Sequence, residues 1–369
     1  MKKFVAVMNI PSPYRLHLFN VMAKQLEERG VEFHCHFMAK GHADRPKSWL
    51  NPKIDFPHTY WPDYGFGQHH FNPGLIWELV RRQPEYMIIG SSFDTATGTA
   101  IALLNSKSVK CVWAEGNTRT TGQMHGFKGW FKRLVYSWFE FALVPGSEGV
   151  KYIGLHQALT KRKMPTPDVL PNIVDETRFV PVPRNKIKDT RTCLIPARLE
   201  PVKGLVPFFE LLTPEMLTGW KIRLMGQGPL RAEIEEVLGQ RGIKKFVEIV
   251  DYVPYDEMPQ NYAAADLLLL PSVYDPNPLS AIEALHAGLP LALSNMAGNI
   301  TEAVTEGVNG WSLPVMDRDA YLSKLKEVFS TPLATLQEMG KKSKLVNAQF
   351  WDSEKAVKSF LDVMIGAQE

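Results

Sequence analysis

The sequence predicts an α/β protein made of two Rossmann-like, doubly wound domains that face each other across a cleft. Three observations predict it. Continuous apolar runs of strand length alternate with helix-length amphipathic segments, the pattern of parallel sheets covered on both faces. This alternation occurs twice, on either side of a stretch that contains Pro165, Pro167, Pro171, Pro181 and Pro183. The 369 residues also suffice for two domains, each large enough to bury a core. In open sheets of this kind ligands bind beyond the carboxyl ends of the strands, so functional groups are sought in the loops that follow strands.

In the first half the expected strands are Phe4–Met8, Phe33–Met38, Tyr86–Ile89, Cys111–Ala114 and Ala142–Val144. The first of them could pass for a signal segment. Its apolar run is short, however, and Asn9 and Pro11 follow it without a small-residue cleavage site, so it reads as a buried strand. Between strands, Arg15–Arg29 places Leu16, Phe19, Met22, Ala23 and Leu26 on one helical face. The prolines of 165–184 read as a crossing between domains rather than an element, which assigns 1–172 to the first domain and 173–349 to the second. Strands of the second half are expected at Thr192–Pro196, Ile222–Met225, Val247–Val250, Leu267–Leu270 and Leu289–Leu293. Residues 350–364 read as a final amphipathic helix opened by Asp352 or Ser353.

Composition narrows the function. No apolar run approaches the length of a membrane span, and without export the protein is expected in the cytoplasm. Cys35, Cys111 and Cys193 each sit inside a strand-like run, with spacing that fits neither a disulfide framework nor a metal site. The net charge of +3 is unevenly spread. Residues 1–180 hold 22 Lys/Arg against 15 Asp/Glu, and the remainder 20 against 24. A basic half beside an acidic half suits one domain facing an anionic surface or substrate, not a nucleic-acid-binding protein.

The richest stretch is 271–290, from a strand end through a turn to a helix that Pro278 opens and Gly288 ends. First-turn amides at Leu279 and Ser280 can hold an anion such as a diphosphate, with Asn277 in the turn before them. Glu283, one turn further in, can accept hydrogen bonds from a ribose diol, and Asp275 faces the same cleft. The alternative is a capped core helix with solvated acids. Arg198 and Lys203 lie on a strand-to-helix loop and can neutralise a diphosphate leaving group, or form a solvated basic loop. Gly226 closes another strand and permits close approach of a ligand to the backbone.

Together these residues resemble glycosyltransferase family 4. The family's acidic residue, seven intervening residues and glutamate match Asp275 to Glu283, after a Pro-Ser strand end. Its Arg-Leu followed by Lys-Gly matches Arg198-Leu199 and Lys203-Gly204. Val253-Pro254, Met258-Pro259, Tyr262 to Asp266, Pro171-Asn172 with Asp175 and Phe179, and Gly298 with Glu302 and Gly310 follow the family order. The resemblance covers nearly all of 140–315. It implies the GT-B fold and a retaining, metal-independent glycosyltransferase that uses a nucleotide diphosphate-sugar, a UDP- or GDP-sugar, and no cofactor. It also implies a glycan or lipid-linked acceptor in bacterial surface polysaccharide or glycolipid synthesis. Arg198 and Lys203 would bind the diphosphate, Glu283 the ribose, backbone at Val253 the base, and Asp275 the sugar hydroxyls. Similar proteins send the last helix back to the first domain, and the same is expected here. Asp275 departs from the usual glutamate and is one methylene shorter. A nucleotide-sugar epimerase of the same fold and a non-catalytic nucleotide-binding partner protein are the rival readings.

The first half holds the candidate acceptor side. After the first strand the family usually has glycines; here the loop is Asn9-Ile-Pro-Ser-Pro-Tyr-Arg15, and Arg15 either touches substrate or caps its own loop. After the strand at 111–114 come Glu115 and Asn117, where many members carry a histidine at the first position. Glu115 can hold hydroxyls, act as a base, or merely start a helix. Residues 125–139 mix aromatics with Lys128, Lys132 and Arg133. Such a segment can lie at a lipid interface as a peripheral membrane contact or be a core-facing helix with a solvated basic edge. His69-His70 lacks a third metal ligand at suitable spacing. Asp317-Arg-Asp319 imitates a metal motif but precedes a helical pattern, so one of its acids reads as an N-cap.

Overall fold

A computed structural model describes residues 1–41, 53–67, 69–90, 94–118, 125–180 and 190–366. The chain divides into two compact units: Met1–Val174 with Asp352–Glu369, and Asp175–Trp351. Each unit carries its own all-parallel sheet of the doubly wound α/β kind.

The first sheet comprises β1 (Lys2–Met8), β2 (Val31–Phe37), β3 (His58–Tyr60), β4 (Tyr86–Ile89), β5 (Val109–Trp113), β6 (Phe141–Val144) and β7 (Thr166–Val169). Their order is β3-β2-β1-β4-β5-β6-β7. The central strands carry continuous apolar runs because successive residues feed different cores. Phe4, Ala6, Ile88, Cys111 and Leu143 enter one cluster, whereas Val5, Val7, Ile89, Val112 and Val144 enter the other. The helix Ser353–Gly366 completes the first cluster with Val357, Phe360, Leu361 and Met364. It lies along the helix Pro13–Glu28, where Gln25 Nε2 donates to Glu354 Oε2 (2.7 Å) and Arg29 Nη2 donates to Asp362 Oδ1 (2.6 Å). Asp352 accepts from Lys355 N (2.9 Å) at its start.

The second sheet comprises β8 (Arg191–Pro196), β9 (Trp220–Met225), β10 (Val247–Val250), β11 (Leu267–Leu270), β12 (Leu291–Ser294) and β13 (Gly310–Leu313), in the order β10-β9-β8-β11-β12-β13. Asp317 caps the helix Arg318–Ser330, accepting from Ala320 N at 3.1 Å. The three cysteines are free and buried.

Three strands depart from the sequence expectation. β7 forms inside the proline-rich crossing, which was read as lacking any element. Pro167 is tolerated there because β7 pairs with β6 alone, at the sheet edge. β3 is three half-buried polar and aromatic residues, and β13 only four residues opened by a glycine. Pro181 and Pro183 lie outside the described residues.

Candidate active site

Strand order reverses between β8 and β11 in the second unit, so a crevice opens beyond the carboxyl ends of those two strands. The loops that leave them are knitted together. The amides of Val273 and Tyr274 both donate to Val202 O (3.0 and 3.1 Å). Gly204 adopts φ +62°, and a Cβ on it would lie 2.3 Å from Pro271 O. Gly226, at the end of β9, adopts φ +151°, and its Cβ would lie 2.1 Å from Ala197 O. The sequence suggested that Gly226 admits a ligand. The structure gives it another duty: it lets the neighbouring loop pass.

This contact brings together residues 72 positions apart. Lys203 Nζ donates to Asp275 Oδ2 at 2.6 Å, with side chains only 18% and 13% exposed. Asp275 is fixed in turn, since Gly298 N donates to its carbonyl (3.0 Å). Arg198 shares the loop but not the pair. Its exposed guanidinium donates to Glu200 Oε1 (2.6 Å), a solvated contact that is weak and readily exchanged for another anion.

The helix Leu279–His286 starts beside this pair, one residue later than expected, with Pro278 in the cap position. Asn299 Nδ2 donates to Asn277 Oδ1 (3.0 Å) and to Pro278 O (3.2 Å). The Asn277 oxygen is thereby engaged in building the turn. Leu279 and Ser280 remain partly exposed at the helix start. Val253 follows β10, whose end is joined to β9 by the hydrogen bond from Gly226 N to Val250 O (2.9 Å).

Glu283 is buried one turn into the helix and accepts a hydrogen bond from the Tyr262 hydroxyl. Phe179 packs edge-on against Tyr262 with ring centroids 5.4 Å apart. Arg178 stands 4.5 Å over the Tyr255 ring and donates to Asp256 Oδ1 (2.5 Å). Burial raises the Glu283 carboxyl from 4.5 to about 7, against the opposing pull of Tyr262 and Arg178. Tyr262, Arg178 and Tyr255 were not assigned to the site from sequence. The only signal was the place of Tyr262 ahead of a short alanine run that ends at Asp266.

The raised carboxyl has a stability consequence. Between pH 4.5 and 7 the folded chain keeps a proton that the unfolded chain has released, so stability falls as pH rises. The penalty is absent below pH 4.5 and complete above about pH 7. Glu283→Gln keeps an acceptor for Tyr262 and removes the charge. It is expected to match the parent at pH 4 and to exceed it at pH 8, by on the order of 3 kcal/mol. Denaturant unfolding at both pH values checks this; equal stability at pH 8 contradicts it.

In the first unit, Arg15 neither caps its loop by its side chain nor stands in solvent. It is 5% exposed, its guanidinium lies 3.2 Å over the Trp113 ring, and it forms an ion pair with Glu115. The Glu115 side chain is 49% exposed. A buried, stacked cation therefore holds a carboxylate outward beyond β5, where it can accept hydrogen bonds from hydroxyls or take a proton. Asn117 is buried, and the adjacent Thr118 hydroxyl donates to Glu148. His70 Nδ1 contacts Asp63 Oδ2 at 2.5 Å, and His69 Nδ1 contacts the Asp94 carbonyl at 3.0 Å.

Known proteins resemble this chain in sequence and in fold. Residues 178–346 match the family model of the glycosyl transferases group 1, a span that contains Arg198, Lys203, Asp275 and Glu283. An uncharacterized glycosyltransferase of Methanocaldococcus jannaschii is 31% identical over 129 residues, 34% of this chain and 33% of that protein. A putative colanic acid biosynthesis glycosyltransferase of Escherichia coli is 29% identical over 160 residues, 41% of this chain and 39% of that protein. The matched stretch thus spans about a third to two-fifths of these curated relatives. The crystal structure of Anabaena HepE in complex with UDP superposes with a TM-score of 0.76 over 99% of this chain and 100% of its own. At 14% identity that likeness concerns the fold. By sequence, residues 178–346 of the second unit are similar to the glycosyl transferases group 1, and the chain that contains them has the GT-B fold.

Proposed function

We propose that the protein is a retaining, metal-independent glycosyltransferase. It moves a sugar from a nucleotide diphosphate-sugar to a glycan or lipid-linked acceptor in surface polysaccharide or glycolipid assembly. The observation that carries this reading is the Lys203–Asp275 pair (2.6 Å) at the β8/β11 reversal, beside a helix start. The UDP held by HepE and the colanic acid role in the name of the E. coli relative support it.

In this mechanism the donor diphosphate lies on Lys203, Arg198 and the amides of Leu279 and Ser280. Backbone at Val253 meets the base, and Glu283 accepts from the ribose hydroxyls. Asp275, freed in part as Lys203 turns to phosphate, accepts from a hydroxyl of the transferred sugar. As the glycosidic C–O bond breaks, its electron pair goes to the diphosphate oxygen. The cations and amides stabilise that charge, and the sugar becomes oxocarbenium-like. The acceptor oxygen attacks from the face the diphosphate leaves, and its proton passes to the departing oxygen, so no protein nucleophile is required. Glu115, fixed by Arg15, is the carboxylate on the first unit that holds acceptor hydroxyls.

A thermal-shift screen over UDP-, GDP-, ADP- and dTDP-sugars tests the reading. One nucleotide is expected to stabilise the fold, by about 2.7 kcal/mol at a hundredfold excess over Kd. NMR of the first product should show the donor's anomeric configuration retained. No stabilisation by any of the four removes the donor site. An isomerised donor formed without acceptor would make the protein an epimerase instead.

A further inference from the structure

The helix Gly126–Tyr136 follows β5 and contains no acidic residue. Its inner face is Gly129, Val135 and Tyr136. The opposite face leaves Phe127 76% and Trp130 47% exposed. Their rings stand 5.7 Å apart, and Phe127 also stacks on Phe131 at 6.3 Å. Lys132, grouped from sequence with the basic edge, turns inward, where Nζ donates to the Tyr152 hydroxyl at 3.0 Å.

That contact, with Tyr136 beside His156 (6.3 Å), links the helix to its neighbour Ser147–Ala158 at the same separation along both. The two helices therefore run side by side in the same direction. The second contributes exposed Leu155 and, just past its end, Leu159. Exposed Lys161, Arg162 and Lys163 follow directly, and Lys128 with partly exposed Arg133 flanks the aromatic rings. Nearby carboxylates are engaged elsewhere. Glu148 is buried with Lys151 (2.7 Å) and Thr118, and Glu140 accepts from Lys110 N (2.7 Å). The outward charge is positive around an apolar centre.

We propose that the first unit docks on an anionic phospholipid surface through this face. Phe127, Trp130, Leu155 and Leu159 enter the headgroup boundary while Lys128, Arg133 and residues 161–163 meet lipid phosphates. Charge complementarity selects this occupant, because cations surround the apolar residues and the helix offers no carboxylate to a basic partner. An exposed ring alone does not make such a face. Trp77 is 70% exposed, yet the arginines beside it, Arg81 and Arg82, are paired with Glu78. This surface belongs to the first unit, whereas Lys203, Asp275 and Glu283 belong to the second, so lipid binding and sugar transfer are tested by different residues.

The test is sedimentation of the full chain with vesicles of mixed phosphatidylglycerol and phosphatidylcholine, and with phosphatidylcholine alone. Binding is expected to the mixed vesicles and to fall steeply with salt. The double variant Phe127→Ser/Trp130→Ser should lower partitioning by about tenfold or more. Lys128→Glu/Arg133→Glu should lower it by at least about fivefold for each cation removed, and Trp77→Ser should leave it unchanged. All these positions are at least partly exposed, so unchanged circular dichroism verifies the folded state of each variant. Equal binding to both vesicle types, or no loss in the Phe127/Trp130 variant, overturns the proposal. So does concentration-dependent self-association that this variant abolishes without any lipid binding, which would give the face to a second copy of the chain.

Discussion

Lys203→Ala is expected to cut turnover about a hundredfold or more while leaving the fold intact. The ammonium is held at the β8/β11 reversal by a 2.6 Å hydrogen bond to Asp275 and is mostly shielded from water. In the proposed transfer such a preorganised cation stabilises charge that grows only as the leaving group departs, and such a partner typically accounts for about 3 kcal/mol. The loss should therefore fall chiefly on kcat, with a smaller change in KM. Arg198→Ala is expected to cost less than Lys203→Ala, because that side chain is 70% exposed and must leave Glu200 to meet the diphosphate. Steady-state kinetics of the two variants against one donor decide it. Wild-type turnover by Lys203→Ala would remove this residue from the diphosphate site.

Gly226→Ala should destabilise the second unit by about 2–4 kcal/mol. Its φ of +151° is one that side chains rarely adopt, and the added methyl would sit 2.1 Å from the Ala197 carbonyl. That carbonyl is backbone and cannot step aside without moving the loop that carries Arg198 and Lys203. Relaxation of the loop would displace the Lys203–Asp275 pair, so donor affinity should drop along with stability. Gly239→Ala, at an exposed helical position with nothing within 4 Å of the new Cβ, should instead be neutral or slightly stabilising. Denaturant melts of both variants check the pair. A Gly226→Ala protein as stable as its parent would show that the loops are not locked as described.

Much of the fold was legible because β1, β4, β11 and their neighbours are covered on both faces, which leaves long apolar runs with no polar alternation. β3, β7 and β13 were not legible for the opposite reason. They are short strands at sheet edges, and Pro167 in β7 mimics a linker. For the site, residue types and their order after strands pointed to Lys203, Asp275 and Glu283. Their partnerships were hidden, because they depend on how separate loops approach. Nothing local to Asp275 announces Lys203, and nothing near Arg15 announces that it would lie on Trp113 and hold Glu115. The same holds for the Tyr262 hydroxyl on Glu283, a contact set by two helices meeting in three dimensions. Side-chain direction also misled at Lys132, where a helical face that reads as basic has one cation turned inward.

The helix Ser353–Gly366 also sets a timetable for synthesis. Val357, Phe360, Leu361 and Met364 fill a core that β1 and β2 begin to build, yet they leave the ribosome more than three hundred residues later. The amino-terminal sheet therefore emerges early, but its helix Pro13–Glu28 stays bare until residues 353–366 follow. The second unit, contiguous in the chain, can close first.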